Sequence, residues 1–318
     1  EAAGEAVVIT GAGGVTLTTS NAASIDATAL TGDLAMSSTV AATVLGGEGA
    51  NELTIAEVDT DTTFVGQDGG DTVDSAITIA TLAATFGAGD DTLELDVTTG
   101  TVVADLGDGD NTVDFVAANI AAGAEITLTA GAGSDTLNFT LDDDLDAANT
   151  LSLTGFDAMT LEAGVDISIA AADITGDTYA ISGTTGGTET FEIVALATGS
   201  IVDASNLTIA TSINTFTITG GAAADTITGT ATDDVIVGAA GDDVIVGGAG
   251  DDTINGNADV DTITGGAGAD EIRMAATEDG DTITDFAIAE DTLVLTGAGT
   301  AIDLTDVSGD RTASAYNL

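Results

Sequence analysis

The sequence has no cysteine, histidine, proline or tryptophan, and Arg273 and Arg311 are the only basic residues among its 318. Each absence removes a class of chemistry. Without cysteine there is neither a disulfide framework nor a thiolate nucleophile. Without histidine there is no imidazole base, which excludes Ser-His-Asp catalysis, and without lysine there is no Schiff base. Softer metals lack their usual ligands. A pair of carboxylates could still cleave a glycoside, but aromatic residues make up 3% of the chain and the usual sugar platforms are missing. The expectation is a protein that is not an enzyme. No apolar run reaches the roughly 18 residues of a membrane-spanning helix, and no signal-peptide pattern stands at the start of the sequence.

Acid, by contrast, is plentiful. Asp and Glu number 54, for a formal net charge of −52. A surface this negative repels nucleic acid and anionic lipid, so neither nucleic-acid binding nor membrane insertion is expected. A polyanion with so few aromatics is expected to stay disordered unless something neutralises it.

The acid is arranged in columns. From Gly220 to Arg273 run six nine-residue units: GGAAADTIT, GTATDDVIV, GAAGDDVIV, GGAGDDTIN, GNADVDTIT and GGAGADEIR. Each begins with Gly (Gly220, Gly229, Gly238, Gly247, Gly256, Gly265). The sixth place is always Asp (Asp225, Asp234, Asp243, Asp252, Asp261, Asp270) and the eighth always Ile, from Ile227 to Ile272. Glycine lets the first half of a unit turn tightly and aim its carbonyls at one point. The β-branched triplet that follows favours a short strand with its middle side chain inward.

Two units make one coil, and stacked coils lie about 4.8 Å apart. Asp225 then stands over Asp243, Asp234 over Asp252, Asp243 over Asp261, and Asp252 over Asp270. Such carboxylates repel unless a hard cation with six to eight oxygen ligands sits between them, drawing on Asp side chains and turn carbonyls. Magnesium, which prefers a water-rich octahedral site, suits these turns poorly. The alternative is a metal-free solenoid with ordinary Asp-Gly turns, and it leaves the ladder with no stabiliser in a chain almost devoid of cations. The fourth place is Gly241, Gly250 and Gly268 in three units but Ala223, Thr232 and Asp259 in the others. The strongest calcium positions are therefore expected around Gly238, Gly241, Gly247, Gly250, Gly265 and Gly268.

A looser repeat precedes the array. Its aligned glycines are Gly49, Gly69, Gly89, Gly109 and Gly133, evenly spaced except for a longer last interval. One turn per larger coil would stack Asn51, Asp71, Asp91, Asn111 and Asp135 on one edge, above a core of Leu53, Val73, Leu93, Val113 and Leu137. A further calcium fits between Asp71 and Asp91; at the Asn positions a hydrogen-bonded polar stack needs no metal. Apolar residues alternate throughout instead of recurring every three or four places, as in Leu151-Ser-Leu153 and Phe216-Thr-Ile218, so strands are expected and helices are not. Asp142-Asp-Asp144 reads as a solvated loop. After the array, Asp281 and Asp285 are placed to close the last ion site. Phe286, Leu293 and Leu295 suit the cap that a solenoid end needs, and the tail to Leu318 reads as loose.

The nonapeptide columns resemble the RTX repeat, and Asp281-Thr-Ile283-Thr-Asp285-Phe286 is similar to the ending that follows such repeats. The resemblance is specific over Gly220–Leu295 and looser over Gly46–Asn138. It implies an all-β fold, a right-handed parallel β-solenoid with a β-roll near the C-terminus and a C-terminal cap. The corresponding division is short strands over 1–44, larger solenoid coils over 45–140, continued solenoid over 141–219, the β-roll over 220–273, and cap and tail over 274–318.

The resemblance further implies about four to eight bound calcium ions and export by a Gram-negative type I system. It also implies folding on meeting calcium at the cell surface. The texture of the whole chain is similar to calcium-binding surface-layer and surface-filament proteins. Self-association into a lattice or fibre and contact with cell-surface polysaccharide are the partners so implied. Two other readings stand beside it: an adhesin or ice-binding solenoid presenting Thr-x-Thr rows, and the C-terminal export module of a larger secreted hydrolase.

Overall fold

The computed structural model describes residues 6–20, 23–38, 43–58, 61–77, 81–97, 100–116, 123–141, 143–145, 150–174, 178–184, 188–195, 199–275 and 280–296. Among them the fold is all-β, with every strand pairing parallel, and the one helical segment is a 3-10 turn at Ala171–Asp173. No helix there is long and apolar enough to cross a membrane.

The chain forms two compact units. The first comprises Glu1–Ile167 with Tyr179–Glu189, the second Ser168–Thr178 with Thr190–Leu318.

The first unit is a parallel β-solenoid in which alternate strands go to opposite sheets. One sheet stacks Ala6–Gly11, Ser24–Leu30, Thr43–Leu45, Thr62–Val65, Thr81–Thr85, Thr101–Asp105, Glu125–Thr129 and Thr150–Thr154 in that order. The facing sheet includes Asn51–Val58, Thr72–Ile77, Thr92–Val97, Thr112–Phe115, Thr136–Phe139 and Ala158–Leu161. Strand periodicity turns every second side chain inward. Leu53, Val73, Leu93, Val113 and Leu137, the column expected beneath the turns, are each exposed by 1% or less. Phe64 and Phe86 meet edge to face at 5.4 Å, and Phe115 stacks on Phe139 at 4.8 Å.

The Asp-rich run at Asp142–Asp144 departs from its expectation as a solvated loop. Asp143–Leu145 is a short strand. Leu145, 1% exposed, is the apolar side chain that draws the acids into extended backbone. Asp142 lies outside the described residues.

The second unit repeats the architecture, with its coils shortening within the nonapeptide array. Thr190–Val194, Thr215–Thr219, Val235–Ala240, Thr253–Ala258, Glu271–Ala275 and Thr292–Thr296 follow one another in one sheet. Ile201–Asp203, Thr226–Thr228, Val244–Ala249, Thr262–Ala267 and Thr282–Ile283 make the other. Register within the array is that of the two-unit coil, as in Ile236↔Ile254 and Ile245↔Ile263. The six eighth-place isoleucines are 0% exposed, in two files: Ile236, Ile254 and Ile272 on one sheet, and Ile227, Ile245 and Ile263 on the other. At the far end Thr292–Thr296 pairs with Glu271–Ala275, setting Leu293 beside Ile272 and Leu295 beside Met274. These residues add a last rung as well as a cover; Phe286 and Leu293 are half-buried. The tail beyond residue 296 lies outside the described residues.

Candidate metal sites

In each nonapeptide the turn and the strand share one Asp, so the strand fixes where the carboxylate points. All six sixth-place Asp side chains are buried, exposed by 2% or less. They reach back to the preceding coil: the N–H groups of Asp225, Asp234, Asp243 and Asp252 donate to Oδ1 of Asp243, Asp252, Asp261 and Asp270 at 2.8, 2.9, 2.9 and 3.0 Å. Asp281 continues one edge, accepting from the Asp261 N–H at 2.9 Å, and Asp291 continues the other, accepting from Asp270 at 3.1 Å. One carboxylate oxygen per rung therefore replaces a missing backbone partner. The stacked carboxylates anticipated from the spacing are real.

The second oxygen divides the rungs into two kinds. Oδ2 of Asp225 accepts from the Gly221 N–H at 2.7 Å. Oδ2 of Asp234 accepts from the Thr230 N–H at 2.6 Å, while its Oδ1 also takes the Thr230 hydroxyl at 2.7 Å. Asp291 Oδ2 accepts from the Ala287 N–H at 2.6 Å. These three carboxylates are satisfied by their own turns. Oδ2 of Asp243, Asp252 and Asp270 is buried without a hydrogen-bond partner. An orphaned buried carboxylate oxygen costs about 1–3 kcal/mol or more, so three in one array require an explanation.

Their surroundings supply one. A methyl group added at Gly247 would stand 2.4 Å from both Asp252 Oδ2 and the Gly265 carbonyl. At Gly238 it would lie 2.5 Å from Asp243 Oδ2 and 2.6 Å from the Gly256 carbonyl. Carboxylate and carbonyl oxygens thus converge where only glycine leaves room. Gly241, Gly250 and Gly268 hold the other side of the turn with φ of 118°, 128° and 142°. Gly268 packs so closely on the coil below that a Cβ would meet the Gly250 carbonyl at 1.9 Å.

Burial pushes the carboxyl of Asp252 up to about 7 and that of Asp243 up to about 6, against opposing hydrogen bonds from Asp234 and Asp225. Neighbouring carboxylates push the same way. Asp270 is raised for the same first reason. No basic side chain relieves them: Arg273, the one described, pairs with Glu271 on the exposed surface. No group of three acidic side chains placed to hold one metal ion occurs among the described residues. The Asp243 and Asp252 positions instead each offer one carboxylate beside a turn carbonyl, the all-oxygen set that suits calcium.

A family model for the RTX calcium-binding nonapeptide repeat, in 4 copies, matches residues 127–146, 217–245 and 237–272. This chain carries RTX repeats. No curated protein and no solved structure matches it. RTX repeats bind calcium, and all six array aspartates fall within the RTX segments. Calcium would sit against Asp243, Asp252 and Asp270 with carbonyls of the adjoining RTX turns.

Asp285 has a different place from the one expected. Its Oδ1 and Oδ2 accept from the N–H groups of Gly265 and Gly266, both at 2.9 Å. It thereby caps the last RTX turn. Asp291 was not singled out in the sequence; its signal was the Asp-Thr-Leu triplet, a rung of the usual form one coil beyond Asp270.

In the first unit the edge stack is also real. The N–H groups of Asn51, Asp71, Asp91 and Asn111 donate to Oδ1 of Asp71, Asp91, Asn111 and Asp135 at 2.8, 2.7, 3.0 and 3.0 Å. Burial raises Asp71 to about 6 and Asp91 to about 7.

Proposed function

We propose that this is a calcium-dependent extracellular structural protein, unfolded while free calcium is low and set into its solenoid by calcium after export. One observation carries the reading: inside RTX segments, buried Asp oxygens lacking any partner converge with turn carbonyls. Calcium supplies the positive charge these turns lack. The chain's own residues hold the oxygens in place, exclude water and stack one turn on the next.

Each ion bound to the folded chain alone adds about 2.7 kcal/mol at a hundredfold excess over Kd. A few such ions match the entire stability of an ordinary domain, roughly 5–15 kcal/mol. Low calcium then keeps the chain threadable for a type I exporter. We further propose that acidic faces bridged by calcium carry self-association into a surface layer or filament, in contact with cell-surface polysaccharide. The role is non-enzymatic.

Circular dichroism of the full chain with chelator and then with millimolar calcium tests the switch; the expected result is coil converting to β-structure. Equal spectra in both buffers would defeat it. Electron microscopy of the calcium-treated sample tests assembly, and monomers at every calcium concentration would remove that part alone.

A further inference from the structure

The edge stack of the first unit mixes amides and carboxylates, and the two play opposite parts. Asn51 is 2% exposed. Its Nδ2 donates to the carbonyls of Gly47 at 3.1 Å and Gly49 at 2.9 Å, and to Asp71 Oδ1 at 2.8 Å. Asn111, 1% exposed, repeats the arrangement with Gly107 and Gly109, both at 3.2 Å, and Asp135 Oδ1 at 2.7 Å. In both turns an NH₂ group sits among carbonyl oxygens and reaches the next rung's carboxylate. Its position and its partners are those of a small cation.

Asp71 and Asp91 occupy the same register, one coil and two coils on from Asn51. Both are 1% exposed, and for both Oδ2 is buried with no hydrogen bond of full geometry, although the Gln67 N–H lies near enough to Asp71 to favour its charged form. A Cβ at Gly46 would meet Asn51 Nδ2 at 2.8 Å; at Gly66, one coil on, it would meet Asp71 Oδ2 at 1.9 Å and the Phe86 carbonyl at 2.5 Å. Where the Asn51 turn places a donor, the Asp71 turn places an acceptor beside another acceptor. Oxygens so confined call for a positive partner.

We propose that the first unit binds hard divalent cations at Asp71 and Asp91, outside the nonapeptide array, and that Asn51 and Asn111 replace such an ion with their own amide. The ladder would then hold two adjacent turns that need metal between two that close without it. Asp135 lies in a matched RTX segment and is not part of the proposal. The inference rests on calcium being the partner of carboxylate-and-carbonyl turns, as in the proposed function.

The test counts calcium bound per full-length chain by equilibrium dialysis and follows melting in chelator and in calcium, for wild type, D71N/D91N and N111D. D71N/D91N is expected to bind fewer ions, by about one for each substituted rung, and to melt higher than wild type in chelator. N111D is expected to bind about one more ion, melting lower in chelator and recovering in calcium. If N111D fails to fold, the double variant still decides. Wild type binding calcium while D71N/D91N keeps the same count would overturn this inference and leave the proposed function standing. Wild type binding no calcium would overturn both.

Discussion

Asp252 carries two demands that no single solution condition meets. Its Oδ1 serves the Asp234 backbone, and its Oδ2 is buried without a partner beside the Gly265 carbonyl. The sign of a substitution there should consequently depend on calcium. In chelator, Asp252→Asn removes a buried orphan acceptor and inserts a donor. Stability should rise by about 1–3 kcal/mol. At a calcium concentration a hundredfold above Kd, the same change forfeits one ion and should lower stability by about 2.7 kcal/mol. Chemical denaturation in the two buffers checks this, and a change of equal sign in both would defeat it. The Asp column was legible as one-dimensional spacing. Which carboxylates are already satisfied was not, because Gly221, Thr230 and Ala287 supply N–H donors only once the turns have closed.

At the scale of the turn and strand, the array tolerates departures from its pattern at measurable cost. In four of the six units the second place adopts a left-handed conformation, with φ of 125° at Gly248 and 110° at Gly266, but also 79° at Ala239 and 71° at Asn257. For an L residue that region costs roughly 1–2 kcal/mol, part of which glycine returns as extra unfolded-state freedom. Ala239→Gly should thus stabilise the calcium-loaded protein by about 0.5–1 kcal/mol, read as a raised Tm. Gly268→Ala should do the reverse. Its φ of 142° and the Gly250 carbonyl 1.9 Å from an added Cβ leave no relaxation short of parting two coils. A loss of several kcal/mol is expected, on the order of the largest single-residue effects, with reduced calcium binding.

The strands themselves were plain in the sequence, since alternation of Ile, Val and Leu with polar residues is the strand period. The short strand at Asp143–Leu145 was hidden because three consecutive acids read as solvated until Leu145 finds the core. The need for positive φ at the second place was half-visible, in the Gly-Gly pairs Gly247-Gly248 and Gly265-Gly266.

For the molecule as a whole, charge and pH act on the same ladder. Burial raises Asp71 and Asp234 to about 6, and Asp91 and Asp252 to about 7, from an ordinary 3.8. A carboxyl raised by folding binds its proton more tightly in the folded than in the unfolded chain. Its contribution to stability is fully present below 3.8 and is lost as pH climbs through 6 and 7. The metal-free protein should accordingly melt at a higher temperature at pH 5 than at pH 8. Calcium requires the same carboxyls ionised, so its affinity should rise across that window. Thermal melts with chelator and calcium titrations at both pH values check the pair of trends. Chelated protein that gains stability toward pH 8 would contradict the buried-ladder account.

The sequence by itself determined the parallel coils, their shorter and longer registers, the Ile files inside and the Asp files at the two edges. These depend on repetition, and a repeat imposes the same neighbours on every unit. Only the tertiary structure decided which oxygens remain without partners, which turns close on an amide, and that Asp285 caps a turn. Those outcomes depend on distances of a few ångströms between residues a full coil apart in sequence, and stacking, not local pattern, sets such distances.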